Sequence, residues 1–229
     1  MKLREPMKLS EKTLSVLKNF SSINQSIFIK SGDKLRTISL MKNILAEATV
    51  PEDFPKDFGI YDLSQFLVGL TLHDNPVLDF TNDSFVYIKD GSSSRVKYFF
   101  SDPAVIVQPP DRALSLPSTE VSFKVDSSEL SKLLKASAVY QLPDLSVVGE
   151  SDKIYLKVRD KKNDTSNEYS IPVGDTENEF TFNFKVENIR IIPGTYKVEI
   201  SKQGLSKFTN TELDLKYYIA LEPDSEYAS

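Results

Sequence analysis

The chain of 229 residues contains no cysteine, no tryptophan and a single histidine, His73. Without cysteine there is no disulfide, no thiolate zinc site and no thiol nucleophile. Glycine is scarce, at eight residues, and neither G-x-x-x-x-G-K-[ST] nor G-x-G-x-x-G occurs, so the usual phosphate cradles are missing. No apolar run approaches the ~20 residues that cross a bilayer, and Met1 to Pro6 lack the apolar stretch of a secretory signal. His73 adjoins Asp74, which superficially offers a base with an orienting carboxylate. Sequence neighbours do not usually face each other, and a loop histidine without a nucleophile motif reads as a solvated residue. Asp74, Asp79 and Asp83 are too irregularly spaced for a calcium loop. These absences argue against an enzyme and lead to the expectation of no cofactor, no metal and no membrane partner.

What is present is charge and repetition. The 33 acidic and 28 basic side chains give a net charge of −5, which argues against a wholly basic nucleic-acid coat but leaves room for a local basic surface. The length suits one large β domain or two ordinary domains, each able to bury a core. An internal repeat at an offset of about 116 residues favours two. Leu14, Ser15 and Leu17 follow the possible cap Ser10, as Leu130, Ser131 and Leu133 follow the possible cap Asp126. Lys97-Tyr98-Phe99 closes a strand-like run in the first half, and Lys216-Tyr217-Tyr218 closes one in the second.

Periodicity predicts a helix over Ser10 to Phe20 with Leu9, Thr13, Val16, Leu17 and Phe20 inward, and a second over Asp62 to Leu72 with Leu63, Phe66, Leu67 and Leu70 on one side. A third, from Asp126 to about Val139, sets Leu130, Leu133, Leu134 and Ser137 against a polar side with Ser128, Lys132 and Lys135. A short helix over Val186 to Ile192 carries Arg190 and stops at Pro193-Gly194. Strands are predicted at 26–30, 34–39, 44–50, 77–80, 84–89 and 95–100, the first two joined as a hairpin by Ser31-Gly32-Asp33. The second half adds strands at 120–125, 145–148, 153–159, 168–173, 179–186, 195–201, 205–213 and 216–221, then a polar tail from Glu222. Between the halves, Pro103, Pro109, Pro110 and Pro117 mark an extended connector, with Ala104 to Val107 as a further edge strand. The reading is an α+β chain of two similar antiparallel-sheet domains with helices on one face. Its parts are an extension at 1–6, a first domain at 7–102, a connector at 103–117 and a second domain at 118–229.

Lys8, Lys12 and Lys18 around the first helix, Lys132 and Lys135 on its repeat, and Arg190 form the strongest functional signal. Related by rotation, the halves would place these cations on one side; otherwise they are solvated faces.

The residues also resemble a known family, the ring-shaped sliding clamps, in particular the DNA polymerase processivity factors of T-even-type bacteriophages. The strings that carry the resemblance are Met7-Lys8-Leu9-Ser10 with Leu17-Lys18-Asn19-Phe20, Ile60-Tyr61-Asp62-Leu63 with Phe66-Leu67, Asp102-Pro103, and Leu130 with Leu133-Leu134. Phe180-Thr181-Phe182-Asn183-Phe184, Pro193-Gly194 with Tyr196-Lys197, and Ala220-Leu221-Glu222 with Asp224-Ser225 continue it to near the end of the chain. The resemblance implies a non-enzymatic homotrimer of DNA-clamp fold in the cytoplasm of an infected bacterial host. Two helices per domain would line the hole. Such a ring would encircle duplex DNA without reading sequence, be opened by an ATP-dependent clamp loader and tether the replicative polymerase. In that family the clamp also couples replication to late transcription. Lys8, Lys12, Lys18, Lys132, Lys135 and Arg190 would then face DNA. Val105, Ile106, Val107, Leu114, Leu116, Tyr218 and Leu221 would wall a pocket for partner peptides, against the plainer reading that they pack the connector on its sheet. The alternative for the whole chain is a structural or accessory phage protein of duplicated β domains, with no DNA-encircling role.

Overall fold

The structure is a computed structural model that describes residues 6–91 and 94–228. Apart from Pro6, the expected extension at 1–6 lies outside the described residues. By internal contacts the chain divides into two compact units, Met1–Asp111 and Arg112–Ser229.

In the first unit, helix α1 (Glu11–Ile23) starts where the Ser10 hydroxyl accepts the Thr13 N–H at 3.2 Å. It buries Thr13, Val16, Leu17, Phe20 and Ile23. Burying one such aliphatic side chain contributes about 1.5–3 kcal/mol, so this stripe fixes the helix more firmly than its propensity does. Strand β1 (Ile27–Ile29) follows, then β2 (Gly32–Ile38) and β3 (Ile44–Phe54), which form an antiparallel hairpin. β4 (Phe58–Ile60) pairs with β1, and α2 (Leu63–Leu70) is capped by Asp62, whose carboxylate accepts the Gln65 N–H at 2.8 Å. Strands β5 (Val77–Asp79), β6 (Phe85–Lys89) and β7 (Arg95–Phe99) close the unit as an antiparallel meander. Phe58 meets Phe54, Phe80 and Phe100 with centroids 5.9, 5.1 and 5.1 Å away, forming the aromatic centre of its core.

The second unit repeats this plan. β8 (Val121–Val125) leads into α3 (Ser127–Tyr140), whose start is a capping box of Asp126 and Glu129. β9 (Asp144–Glu150), β10 (Lys153–Arg159) and β11 (Tyr169–Asp175) form a meander, and β12 (Phe180–Lys185) pairs with β9. β13 (Tyr196–Ser201), β14 (Leu205–Asn210) and β15 (Leu215–Ala220) form a second meander, with β8 paired to β13. Most of these pairings have a counterpart: β1 with β4 matches β9 with β12, β2 with β3 matches β10 with β11, and the single bridge Met7 to Leu78 on β5 stands where β8 pairs with β13, while β9 with β10 has no equivalent between β1 and β2. The duplication read from short strings is thus a duplication of topology.

Several expectations are corrected. β1 does not form a hairpin with β2. Gly32 takes φ +112 and Ser31 N–H is held by Asp57 at 2.7 Å, which turns the chain away and leaves β1 to pair with β4. The sequence reading missed β4 because it is three residues long with Gly59 at its centre. A Cβ on Gly59 would stand 2.7 Å from both the Ser101 carbonyl and Ile106 Cδ1, so this close approach requires glycine. Ala104 to Val107 is not a strand: Pro103–Val105 forms a 3-10 turn, set by Pro103 and by Asp102 accepting the Ala104 N–H at 2.9 Å. Val186–Asn188 is likewise only a 3-10 turn, so Arg190 is not on a helix. Ile189 leaves helical geometry at ψ 63, in a stretch whose β-branched residues favour extended backbone. The expected polar tail contributes β16 (Glu226–Tyr227), paired with β12 and stacked on Phe180 at 5.9 Å. His73 is not solvated. It is 7% exposed, and its Nδ1 lies 3.5 Å from Asp90 rather than facing Asp74.

Candidate nucleic-acid interface

A surface that holds phosphates needs cations whose charge is not already spent on carboxylates. The helices provide them. Lys132 and Lys135 are exposed, and at i and i+3 they share a line on α3 with Ser128 and Val139. The nearest acidic residue on that helix, Glu129, is turned back to accept the Asp126 N–H at 3.2 Å in the capping box. The carboxylate therefore serves the helix start and leaves the lysines alone.

On α1, Lys18 is exposed on a line with Glu11, Ser15 and Ser22, whereas Lys12 is half-buried and lies about 100° round the helix. Lys8 precedes the cap and donates to Asn75 Oδ1 at 3.3 Å. Lys18 also borders a cleft of about 640 Å³ between α1 and α2, lined by Leu14, Leu67, Val68 and Leu70 among others. α2 itself, Leu-Ser-Gln-Phe-Leu-Val-Gly-Leu, carries no charge. Arg190 is exposed, but its Nε–H donates to the Glu187 carbonyl at 2.8 Å.

Among the described residues, Lys12, Lys18, Lys132 and Lys135 form no ion pair, and neither does Lys124 on β8. Lysines on and beside the strands are matched instead: Lys153 with Asp175 at 2.5 Å, Lys157 with Glu150 at 2.6 Å, Lys161 with Asp224 at 2.6 Å and Lys185 with Asp144 at 2.6 Å. The Asp144 hydrogen bond, opposed by burial, raises the Lys185 ammonium pKa above the ordinary lysine value. Several acidic and basic groups of the second unit thus cancel along its strands, while α3 keeps its positive charge.

The charges do not repeat with the fold. At the 116-residue offset between the caps Ser10 and Asp126, Leu17 falls on Leu133, both fully buried, but Lys132 falls on the buried Val16 and Lys18 on Leu134. Each unit places its cations independently on a conserved helix frame.

The expected peptide-pocket residues fall in both units. In the first, Ile106 is buried on Gly59, Val105 is 59% exposed, and the Val107 carbonyl faces Asn24 Nδ2 at 3.5 Å. In the second, Tyr218 is buried and donates its hydroxyl to the Leu114 carbonyl at 2.6 Å, while Leu116 and Leu221 are half-buried. Ile106 therefore packs its own unit, and in the other the Tyr218 hydroxyl ties the Leu114 main chain to β15. The sequence reading missed one cluster, the aromatic and basic residues alternating along β6 and β7; period-two alternation was its signal.

Comparison with known proteins agrees with the duplicated fold. Residues 8–108 match the family model of the DNA polymerase processivity factor, and residues 122–223 match that of the gp45 sliding clamp, C terminal. The sliding clamp of Vibrio phage KVP40 is 34% identical over 224 residues, covering 94% of this chain and 99% of that protein. The sliding clamp of Enterobacteria phage T4 is 32% identical, covering 96% and 99%. In fold, the chain is similar to Proliferating Cellular Nuclear Antigen from Entamoeba histolytica, with a TM-score of 0.69 at 14% identity over 95% of this chain and 98% of that one. The chain belongs to the phage sliding-clamp family, the non-catalytic processivity factors of DNA polymerase.

Proposed function

We propose that three copies of this chain close as a ring around duplex DNA with α1 and α3 toward the duplex, and that an ATP-dependent loader opens and closes this ring for the replicative polymerase. The observation that carries the reading is the unpaired state of Lys132 and Lys135, against lysines on and beside the strands that are matched to carboxylates. A sliding protein needs attraction to phosphates without base contacts, since a side chain bonded to a base edge would favour one register. Each neutralised phosphate contributes a salt slope of about −0.9, so a few lysines per copy give weak, salt-sensitive holding, and enclosure rather than affinity retains the protein.

The sheets offer the joints. β7 and β11 are edge strands of their meanders, and pairing β7 of one copy with β11 of the next would satisfy both in a head-to-tail contact that closes on itself. The half-buried Leu114, Leu116 and Leu221, with Leu114 held by the Tyr218 hydroxyl, support capture of an extended peptide from the polymerase and, by extension, from late-transcription factors. The site of action is the cytoplasm of the infected bacterial host. Family membership removes the alternative of a purely structural phage protein.

Light scattering at micromolar concentration is expected to give the mass of a trimer. A monomer at every concentration overturns the ring. The double variant Lys132→Glu with Lys135→Glu is expected to keep that mass and to lose loader-dependent retention on a nicked circle; unchanged retention removes α3 from the DNA face.

A further inference from the structure

The β5-β6-β7 sheet has two faces of opposite character. Val86 and Ile88 on one are fully buried, and Tyr98 on the same face meets Phe66 of α2 edge-on at 5.2 Å. The other face is turned away from the helix. It carries three cross-strand rungs: Phe85 opposite Phe99, Tyr87 opposite Lys97, and Lys89 opposite Arg95. The Phe85 ring lies 4.8 Å from Tyr87 and 5.7 Å from Phe99, both edge-on. Lys97 Nζ stands 4.2 Å over Phe85 and 4.6 Å over Phe99, and the Arg95 guanidinium stands 4.3 Å over Tyr87.

Cation–ring contacts alone explain part of this cluster. They leave two facts over. Lys89 is neutralised by Asp79 at 2.6 Å, yet among the described residues neither Arg95 nor Lys97 reaches a carboxylate, in a chain of net charge −5. Phe99 is also 61% exposed, an uncovered ring at the end of the ladder. Two cations without counter-charge call for an anion, and the exposed Phe99 ring calls for a flat apolar group. Same-face residues repeat every ~6.6–6.8 Å along a strand, so ring and cation recur within reach of successive units of an extended polymer.

We propose that this face binds single-stranded nucleic acid, with unpaired bases stacked on Phe99 and Tyr87 and phosphates held by Lys97 and Arg95. A duplex hides its base faces inside its own stack and answers only the cations. An acidic peptide answers the cations too, but an unpaired strand supplies a flat ring and a negative charge at each unit. The flexible Lys97 stem swings its ammonium from ring to phosphate without moving the strand. The site uses the face of β7 and leaves its edge free, so it is compatible with the subunit joint proposed above and does not depend on it.

The test is fluorescence anisotropy of a labelled oligothymidine of about 12 nucleotides, a length within the usual site sizes, with the full protein at low salt. Binding is expected, and Phe99→Ala and Lys97→Glu are each expected to weaken it by roughly tenfold or more. Phe99→Tyr keeps the ring and is expected to retain binding, whereas Phe99→Leu keeps bulk without it and is not. The comparison variant is Lys132→Glu with Lys135→Glu, whose loss of affinity for the oligonucleotide is expected to be smaller than that of either sheet variant. The proposal is overturned if the oligonucleotide does not bind, if a blunt duplex binds equally, if the α3 variant rather than the sheet variants loses binding, or if an acidic aromatic peptide binds this face in its place.

Discussion

The Tyr98 hydroxyl donates to the main-chain carbonyl of Asp62 at 3.2 Å, so the last strand of the first meander holds the residue that caps α2. Its repeat partner Tyr217 does the corresponding work in reverse, accepting the Ile192 N–H at 3.1 Å where the second unit has an irregular segment in place of a second helix. Both tyrosines come from the repeated strings Lys97-Tyr98-Phe99 and Lys216-Tyr217-Tyr218.

Tyr217→Phe is expected to cost more than Tyr98→Phe. Tyr217 is fully buried, and burial pushes its phenol pKa well above the ordinary value, so removing the hydroxyl leaves the Ile192 N–H without this acceptor. Urea unfolding is expected to show a loss of about 1–3 kcal/mol for Tyr217→Phe and about 1 kcal/mol for Tyr98→Phe. Equal losses would deny the difference in burial its role.

Stability is expected to fall on acidification below about pH 4.5, near the ordinary glutamate value. Burial works to raise the Glu52 pKa, but hydrogen bonds from the Thr13 hydroxyl and the Ser10 N–H outweigh it and hold the carboxyl below its ordinary value. A carboxylate with a depressed folded pKa contributes stability that is present above the unfolded pKa and is lost as pH falls through the folded one. Asp79, likewise opposed by burial and lowered chiefly by Lys89, adds in the same direction. Melting curves should show a shallower acid decline for Glu52→Gln than for the parent; identical slopes would remove Glu52 from the effect.

Gly149→Ala is expected to destabilise the second unit by several kcal/mol, because the new methyl would stand 2.5 Å from both the Asn178 carbonyl and the Phe180 ring. Denaturant unfolding with an unchanged slope and a lowered midpoint would confirm a local packing clash; an unchanged midpoint would refute it.

Leu17→Ala and Leu133→Ala occupy equivalent buried positions at the 116-residue offset and should each cost about 2–5 kcal/mol. If the two units share one helix frame, the two losses should be similar in unfolding experiments. A loss under about 1 kcal/mol at either site would mean that its helix is not anchored by that stripe.

Local pattern made the three α-helices legible, since Ser10, Asp62 and Asp126 accept backbone donors at their starts and apolar residues recur at helical spacing behind them. It failed where pairing is remote in sequence. β1 and β4 are too short to announce a partner, and the 3-10 turns at Pro103–Val105 and Val186–Asn188 depend on caps and packing rather than on period. The burial of His73 escapes the local pattern for the same reason, because its neighbour Asp90 lies 17 residues later, just past β6.

The sequence by itself determined the duplicated order of helices and strands, the apolar stripes that bury them and the family, because these follow from short-range periodicity and from strings kept in register. Only the tertiary structure decided which cations are matched to carboxylates and which stay unpaired, which strands end as edges, and that rings and cations of β6 and β7 share one open face. Those properties depend on distances across the fold, where an ion pair or a ring contact forms or fails over an ångström that no local pattern records.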